Sequence, residues 1–305
     1  MEAPRPPHLG VTPPIDSAPP GEHEVASSEA LVHTLRSLGV YESEEGRQVR
    51  QRVLDDLRRI TAKWCEGEWA AARARGGSGS AGVCPPDGAA APAEDDALGD
   101  AAMEDDAGLG ACRSSAASEA PRCELRTFGS VRLDVHTPDA DIDVVLVAPR
   151  HCTRHAFFES LVALLEGDPS IGTGGVMAVR DAYTPVIKLR VGGTDVDLLF
   201  APLAVERLPE SLDVMDDGVL DGLDEAAIRS LNGARVAEML LTLVPDPAVF
   251  RVALRAVKRW ARCKGLYSNV LGLLGGVNCA ILVAFVCQRY PNAAPSTIVG
   301  RFFRI

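Results

Sequence analysis

Residues 126 to 150, RTFGSVRLDVHTPDADIDVVLVAPR, hold two aspartates one residue apart, Asp141 and Asp143, at the head of an apolar run. In a strand alternate side chains share a face, so the two carboxylates point one way and Ile142 the other. The VVLV that follows is apolar on both faces, the pattern of a central strand. Carboxylates placed side by side at the end of a buried strand repel each other, and a divalent cation that prefers oxygen donors, Mg²⁺ or Mn²⁺, relieves that repulsion. A second segment, TDVDLLF, repeats the design with Asp195 and Asp197, and spacing leaves open which of them completes a three-carboxylate site for two ions. Just upstream, Phe128-Gly129-Ser130 ends a strand-like stretch. Backbone N–H groups at such a turn, with a serine hydroxyl, make a cradle for phosphate oxygens.

A DxD pair by itself is common in solvated acidic turns. A phosphate cradle, paired carboxylates and a third carboxylate on a neighbouring strand together meet the needs of nucleotidyl transfer. One ion lowers the pKa of an attacking hydroxyl, and the other holds the triphosphate and the departing pyrophosphate.

The elements that must position these groups follow from periodicity. A Pro-rich arm covers residues 1 to about 26, and helices are expected over about 27–38 and 43–70. In the second helix Val49, Val53, Leu57, Ile60 and Trp64 form one apolar face. From 71 to 121 the chain turns to Ala, Gly, Ser, Pro and acid, which cannot bury enough surface to offset ordering, so a disordered insertion is expected there. CELRTF and DIDVVLVA read as strands, HAFFESLVALLEG as a helix, and 176–203 as two or three strands with Gly192-Gly193 as a hairpin turn. From about 214 the pattern is helical. Asp246-Pro247 supplies an N-cap and first-turn proline for a helix that Gly265 stops. The expected class is α/β (α+β): a domain with a small mixed sheet over 1–213, then a helical domain over 214–305.

The chain has 305 residues, 47% of them hydrophobic, and a formal net charge of −11. Residues 84–112 carry eight acidic side chains and no Lys or Arg, so most of the excess negative charge belongs to that segment and does not argue against a nucleic-acid partner. The eight cysteines include no CxxC pair, which is neither a zinc spacing nor a disulfide framework. A reducing, intracellular compartment is expected. The apolar run 270–287 contains Gly272, Gly275, Gly276 and Asn278 and reads as a loop and core helix, with no membrane partner.

At this point the sequence resembles the nucleotidyltransferase superfamily and, more closely, eukaryotic poly(A) polymerases. The segments LRSLGVYESEEG, FGSVRLDVHTPDADIDVVLVAPRH, TPVIKLR, DVDLLFAPL, IRSLNGARV, LRAVKRWARCKGLYSNVLGLLGGV and RYPNAAPSTIV read as that family's segments in order, across nearly the whole chain outside 71–121. The resemblance implies addition of AMP from ATP to an RNA 3′ end, with two Mg²⁺ or Mn²⁺ ions, nuclear residence and a pre-mRNA 3′-processing complex as partner. It implies Asp141, Asp143 and Asp197 as metal ligands. It implies Phe128, Gly129, Ser130, Thr137, Asn232, Lys258, Tyr267, Gly276 and Val277 as further ATP contacts. In DPAVFRVALRAVKRWARCKG, Phe250, Leu254, Val257 and Ala261 form an apolar stripe, and Arg251, Arg255, Lys258 and Arg262 the adjacent basic one. Such a basic stripe is ordinarily solvated, but the match of Lys258 turns it toward the cleft.

The sequence departs from the family pattern in places. Asp134 stands where Gly is common, Pro138-Asp139 replaces a Lys-Gly type pair, Arg262 replaces another basic residue, and Asn278-Cys279 replaces a Ser-Trp type pair. The chain also stops at Ile305, inside the helical domain as the family has it. Two rival readings are a non-catalytic fragment that binds ATP or partners, and a terminal nucleotidyltransferase of other base preference.

Overall fold

The computed structural model of the chain describes residues 12–76, 121–171, 175–268 and 271–305. A five-stranded sheet of order β1-β2-β5-β4-β3 lies at its centre, formed by β1 (Glu124–Thr127), β2 (Ile142–Ala148), β3 (Val176–Val179), β4 (Val186–Val191) and β5 (Thr194–Pro202). Only β2 and β5 run parallel; the other pairs are antiparallel. The β4–β5 hairpin closes on Gly192 and Gly193, whose φ values of 56° and 82° are what a two-residue turn with positive φ at both positions requires.

Alternation along β2 divides the molecule. Ile142, Val144, Leu146 and Ala148 face α2 (Glu44–Gly76), which contributes Val53, Leu57, Ile60 and Trp64 to one core. Val145 and Val147 face the other way, toward Ala227, Leu231 and Ala234 of α6 (Glu225–Leu243). Leu57 is fully enclosed in the α2-side core. Leu57→Ala is therefore expected to destabilise the protein by about 2–5 kcal/mol, read as a fall in the denaturant midpoint at unchanged m-value.

The helical half has its own core, built by α6, α7 (Pro247–Cys263), α8 (Gly276–Arg289) and α9 (Pro295–Phe302). The Asp246 side chain caps α7 by accepting from the N–H groups of Ala248 and Val249, and Gly265, at φ 69°, follows its end. Helix α1 (Glu22–Ser37) begins earlier than the apolar pattern predicts, because Glu24 accepts from the Gly21 N–H at 2.9 Å and fixes the first turn. It packs on α9, where the Ser28 and Ser296 hydroxyls meet at 2.9 Å and Thr297 donates to Glu24. Helix α2 runs to Gly76, past the expected end at 70. The rest of the 71–121 insertion, apart from Pro121, lies outside the described residues.

The helix expected over 155–167 is three pieces: α4 (Arg154–Ala156), a wide π turn at Phe157–Leu161, and α5 (Val162–Glu166). The wide turn buries the adjacent rings of Phe157 and Phe158 together, and Phe157 stacks on Phe200 at 4.6 Å. Helix α8, expected as core, buries one face only. Val277, Ile281, Leu282 and Phe285 on its other face are exposed. Among the described residues no helix is long and apolar enough to cross a membrane.

Candidate active site

Strand register brings the carboxylates together. In the parallel pair, Asp143 of β2 stands directly beside Asp197 of β5. Carboxylate oxygens of Asp141, Asp143 and Asp197 all lie within 4.8 Å of one another. Asp195 sits two residues further out, exposed, and its partner is Arg190 at 3.8 Å. Asp143 is half-buried, and its surroundings raise its pKa to about 7 through burial first and then through the charges of Asp141 and Asp197. An all-oxygen donor set that repels itself this strongly fits a hard divalent cation of the Mg²⁺ or Mn²⁺ kind.

The turn before β2 is shaped around the same carboxylate. Phe128 donates its N–H to the Asp143 carbonyl at 3.0 Å, and the single helical turn α3 (Gly129–Arg132) starts immediately after it. Gly129 has φ 59°, and a Cβ there would fall inside contact distance of Asp143 Oδ2. The backbone and the carboxylate thus share a space that only glycine leaves open. On the far side, Gly233 of α6 approaches Phe128 so closely that a Cβ would stand 2.6 Å from its ring. The SLNG segment thereby sets the distance between α6 and the turn.

The basic stripe of α7 has a definite target, the 133–137 segment that leads into the aspartates. Arg251 Nε donates to the Leu133 carbonyl at 3.1 Å, and Arg255 Nη2 to Asp134 Oδ1 at 3.3 Å. Lys258 Nζ donates to the Val135 carbonyl at 3.1 Å, and Arg262 Nη1 to Thr137 Oγ1 at 3.2 Å. From α2, Arg50 donates to the carbonyls of Thr137 and Pro138 and pairs with the buried Glu42 at 2.6 Å. Cations on two helices hold the approach to the DxD pair, a role that periodicity in α7 could not reveal. Asp134 is the one non-glycine residue with positive φ (54°) among those described, which accounts for a position suited to Gly.

A cleft of about 1080 Å³ opens between the sheet and the helical half. Phe128, Gly129, Ser130, Asp141, Asp143, Asp197, Asn232, Lys258, Tyr267, Gly276 and Val277 all line it, so spacings of up to 149 positions converge on one cavity. Thr137 does not line it. Its hydroxyl is held by Arg262 beside a smaller cavity of about 130 Å³ behind the segment. Lys258 is buried, and burial lowers its pKa to about 8. The Tyr267 hydroxyl lies against Gly276, where a Cβ would come within 2.8 Å of it, and the Arg262 guanidinium covers the Tyr267 ring at 5.1 Å.

Sequence reasoning missed Lys188. Its ammonium contacts both oxygens of Asp197 at 2.9 Å and offsets part of the triad's charge. A signal existed: counting outward from Gly192-Gly193 pairs Val191 with Thr194, Arg190 with Asp195 and Lys188 with Asp197.

Similarity to known proteins agrees with this geometry. The family model described as Poly(A) polymerase nucleotidyltransferase domain matches residues 10–74 and 112–244, and the Poly(A) polymerase central domain matches 249–305. The chain is 39% identical over 298 residues to a poly(A) polymerase of Dictyostelium discoideum, covering 97% of this chain and 32% of that protein. It is 37% identical to poly(A) polymerase pla1 of Schizosaccharomyces pombe (97% and 45%) and 37% identical to nuclear poly(A) polymerase 1 of Arabidopsis thaliana (97% and 36%). The chain thus spans between about a third and under a half of the length of these relatives. With a mixed sheet presenting a carboxylate triad beside a Gly-Ser turn, and with both family domains matched in order, the chain belongs to the poly(A) polymerase family.

Proposed function

We propose that this chain transfers AMP from ATP to the 3′-hydroxyl of RNA without a template, releasing pyrophosphate. The observation that carries this reading is the convergence of Asp141, Asp143 and Asp197 in a cleft shared with the Gly129-Ser130 turn and Lys258. In the reaction a bond forms between the RNA 3′-oxygen and the α-phosphorus, and the bond from that phosphorus to the bridging oxygen breaks. Asp141, Asp143 and Asp197 would hold two Mg²⁺ or Mn²⁺ ions, whose charge would lower the pKa of the hydroxyl and neutralise the triphosphate. Ser130 and the backbone of its turn grip phosphate oxygens, and Lys258 adds a point charge to the same group. Asn232, Tyr267, Gly276 and Val277 form the wall for the nucleotide, with Thr137 acting from behind through Arg262. The nuclear name of the Arabidopsis relative supports residence in the nucleus, and the family resemblance implies a pre-mRNA 3′ end and its processing complex as the working partners.

Lys258 gives the reading a pH signature. Its folded pKa of about 8 lies below the ordinary 10.5, so burying the charge costs stability below about 8. That cost disappears as pH rises through 10.5, and the free protein gains stability across the window. A bound triphosphate reverses the preference by holding the lysine protonated. ATP affinity is therefore expected to fall up to tenfold per pH unit above about 8. Lys258→Met is expected to bind weakly and without that slope, as measured by fluorescence titration.

The direct test is extension of an RNA primer with each of the four nucleoside triphosphates in Mg²⁺ and in Mn²⁺, alongside ATP binding. Extension with ATP alone supports the reading. Preference for UTP, or ATP binding with no extension under either metal, overturns it.

A further inference from the structure

The cysteines that sequence spacing dismissed as scattered meet in the fold. Cys65 lies on α2, Cys123 immediately precedes β1, and His151-Cys152 forms the turn that follows β2. The Cys65 and Cys152 sulfurs are 3.7 Å apart, and Cys65 Sγ is 3.9 Å from His151 Nε2. Ligand atoms of these three residues all lie within 4.8 Å of one another. Cys123, close by at the entrance to β1, lies outside this group and donates to the Thr61 carbonyl at 3.3 Å. Cys65 and Cys152 are buried in the α2-side core, Cys123 packs at its margin, and all three cysteines are free.

These separations have a chemical meaning. With Zn–S near 2.3 Å and Zn–N near 2.0–2.1 Å, tetrahedral ligands stand about 3.8 Å apart for two sulfurs and about 3.6 Å apart for sulfur and nitrogen. The observed 3.7 Å and 3.9 Å match those edges, whereas a disulfide would bring the sulfurs to about 2.05 Å. Two thiols and an imidazole suit Zn²⁺ and not the oxygen-seeking ions of the aspartate triad. Cys152 and its turn are pre-shaped: the Cys152 N–H donates to the Pro149 carbonyl at 3.0 Å, and Thr153 caps α4 by accepting from Ala156 at 3.1 Å. His151 is only half-buried, which leaves an ion a route in.

We propose that Cys65, His151 and Cys152 bind a zinc ion through two thiolates and an imidazole. The ion joins α2 to the turn after β2, at the end of β2 opposite the carboxylates, some seven strand residues or roughly 20 Å away. Because Cys65 and Cys152 stand 87 positions apart, the ion restricts the unfolded chain as a cross-link does.

The test uses the full chain, reduced with a phosphine and stripped of metal. One equivalent of Co²⁺ is expected to give a thiolate-to-cobalt charge-transfer band and intense tetrahedral visible bands, both lost on adding Zn²⁺. Both are expected to survive in Asp143→Asn and to vanish in Cys65→Ser and Cys152→Ser. Zinc affinity in those two variants is expected to fall by more than about 100-fold, since even groups that only support a ligand are worth 10- to 100-fold. Cys123→Ser, which leaves all three ligands in place, is expected to retain both sets of bands. Zinc at 100 times its dissociation constant is expected to raise the melting midpoint of the wild-type chain by roughly 5 °C or more. Cobalt binding without a thiolate band in the wild-type chain overturns the proposal. So does a zinc response that Asp143→Asn abolishes and Cys152→Ser leaves intact.

Discussion

Asp143→Asn is expected to raise the melting temperature of the metal-free protein while abolishing divalent-metal binding at the triad and AMP transfer. The two effects share one cause. Burial and the neighbouring charges of Asp141 and Asp197 raise the Asp143 pKa from 3.8 to about 7, so ionising it in the folded state is unfavourable. The penalty is absent below 3.8, grows as pH rises, and is complete above about 7. At about 1.4 kcal/mol per unit the full shift corresponds to some 4 kcal/mol. Solvent at this half-buried position reduces the usable part to about 1–2 kcal/mol. An amide of the same shape carries no such penalty. The midpoint of the variant is therefore expected to exceed that of the wild type at pH 8 by a few degrees and to equal it near pH 4. Added Mg²⁺ is expected to stabilise the wild type and leave the variant unmoved, with turnover down by at least about 10³-fold, the scale on which removing one preorganised charge-stabilising contact acts. Calorimetry at the two pH values and primer extension read both halves. An active variant, or one destabilised at pH 8, removes the assignment of Asp143.

Gly129→Ala is expected to lower turnover by about 100-fold or more with only a modest loss of stability. Alanine in the left-handed region costs about 1–2 kcal/mol, which by itself shifts the melting midpoint by a few degrees. The larger effect is local, because the new Cβ would overlap Asp143 Oδ2 and push that carboxylate out of line with Asp141 and Asp197. A misplacement of about 1 Å in a positioned group costs on the order of 100-fold. Gly193 provides the control. It has φ 82° and open space around a prospective Cβ, so Gly193→Ala carries the same kind of backbone strain without touching the triad. If the two variants lose stability alike but only Gly129→Ala loses metal binding and activity, the shared space at Asp143 is responsible. Equal losses of activity would mean that strain alone explains both.

Local chemistry was legible in the sequence wherever one residue and its near neighbours decide the outcome. The period of two in DIDVVLVA and TDVDLLF put each carboxylate pair on one face, since alternation belongs to the strand itself. Asp246-Pro247 and Gly265 marked the ends of α7 because caps are satisfied within a turn. The stripe Phe250, Leu254, Val257 and Ala261 is fully buried, as its spacing foretold. Family resemblance reached further than spacing, selecting Asp197 over Asp195 before any register was known.

Only the tertiary structure decided how distant segments meet. The parallel register of β2 on β5 set Asp197 beside Asp143, and no local pattern fixes how two strands joined by a long crossover slide past each other. Spacing alone would leave the basic stripe of α7 solvated, and family resemblance turned it toward the cleft, but only packing laid it along residues 133–137, because a helix specifies which side chains align and not what they will face. The cysteines at 65, 123 and 152 had no readable spacing at all. Their approach, and that of His151, exists only where a long helix, a strand entrance and a turn share one core, since burial of apolar surface brings together residues that chain connectivity leaves far apart.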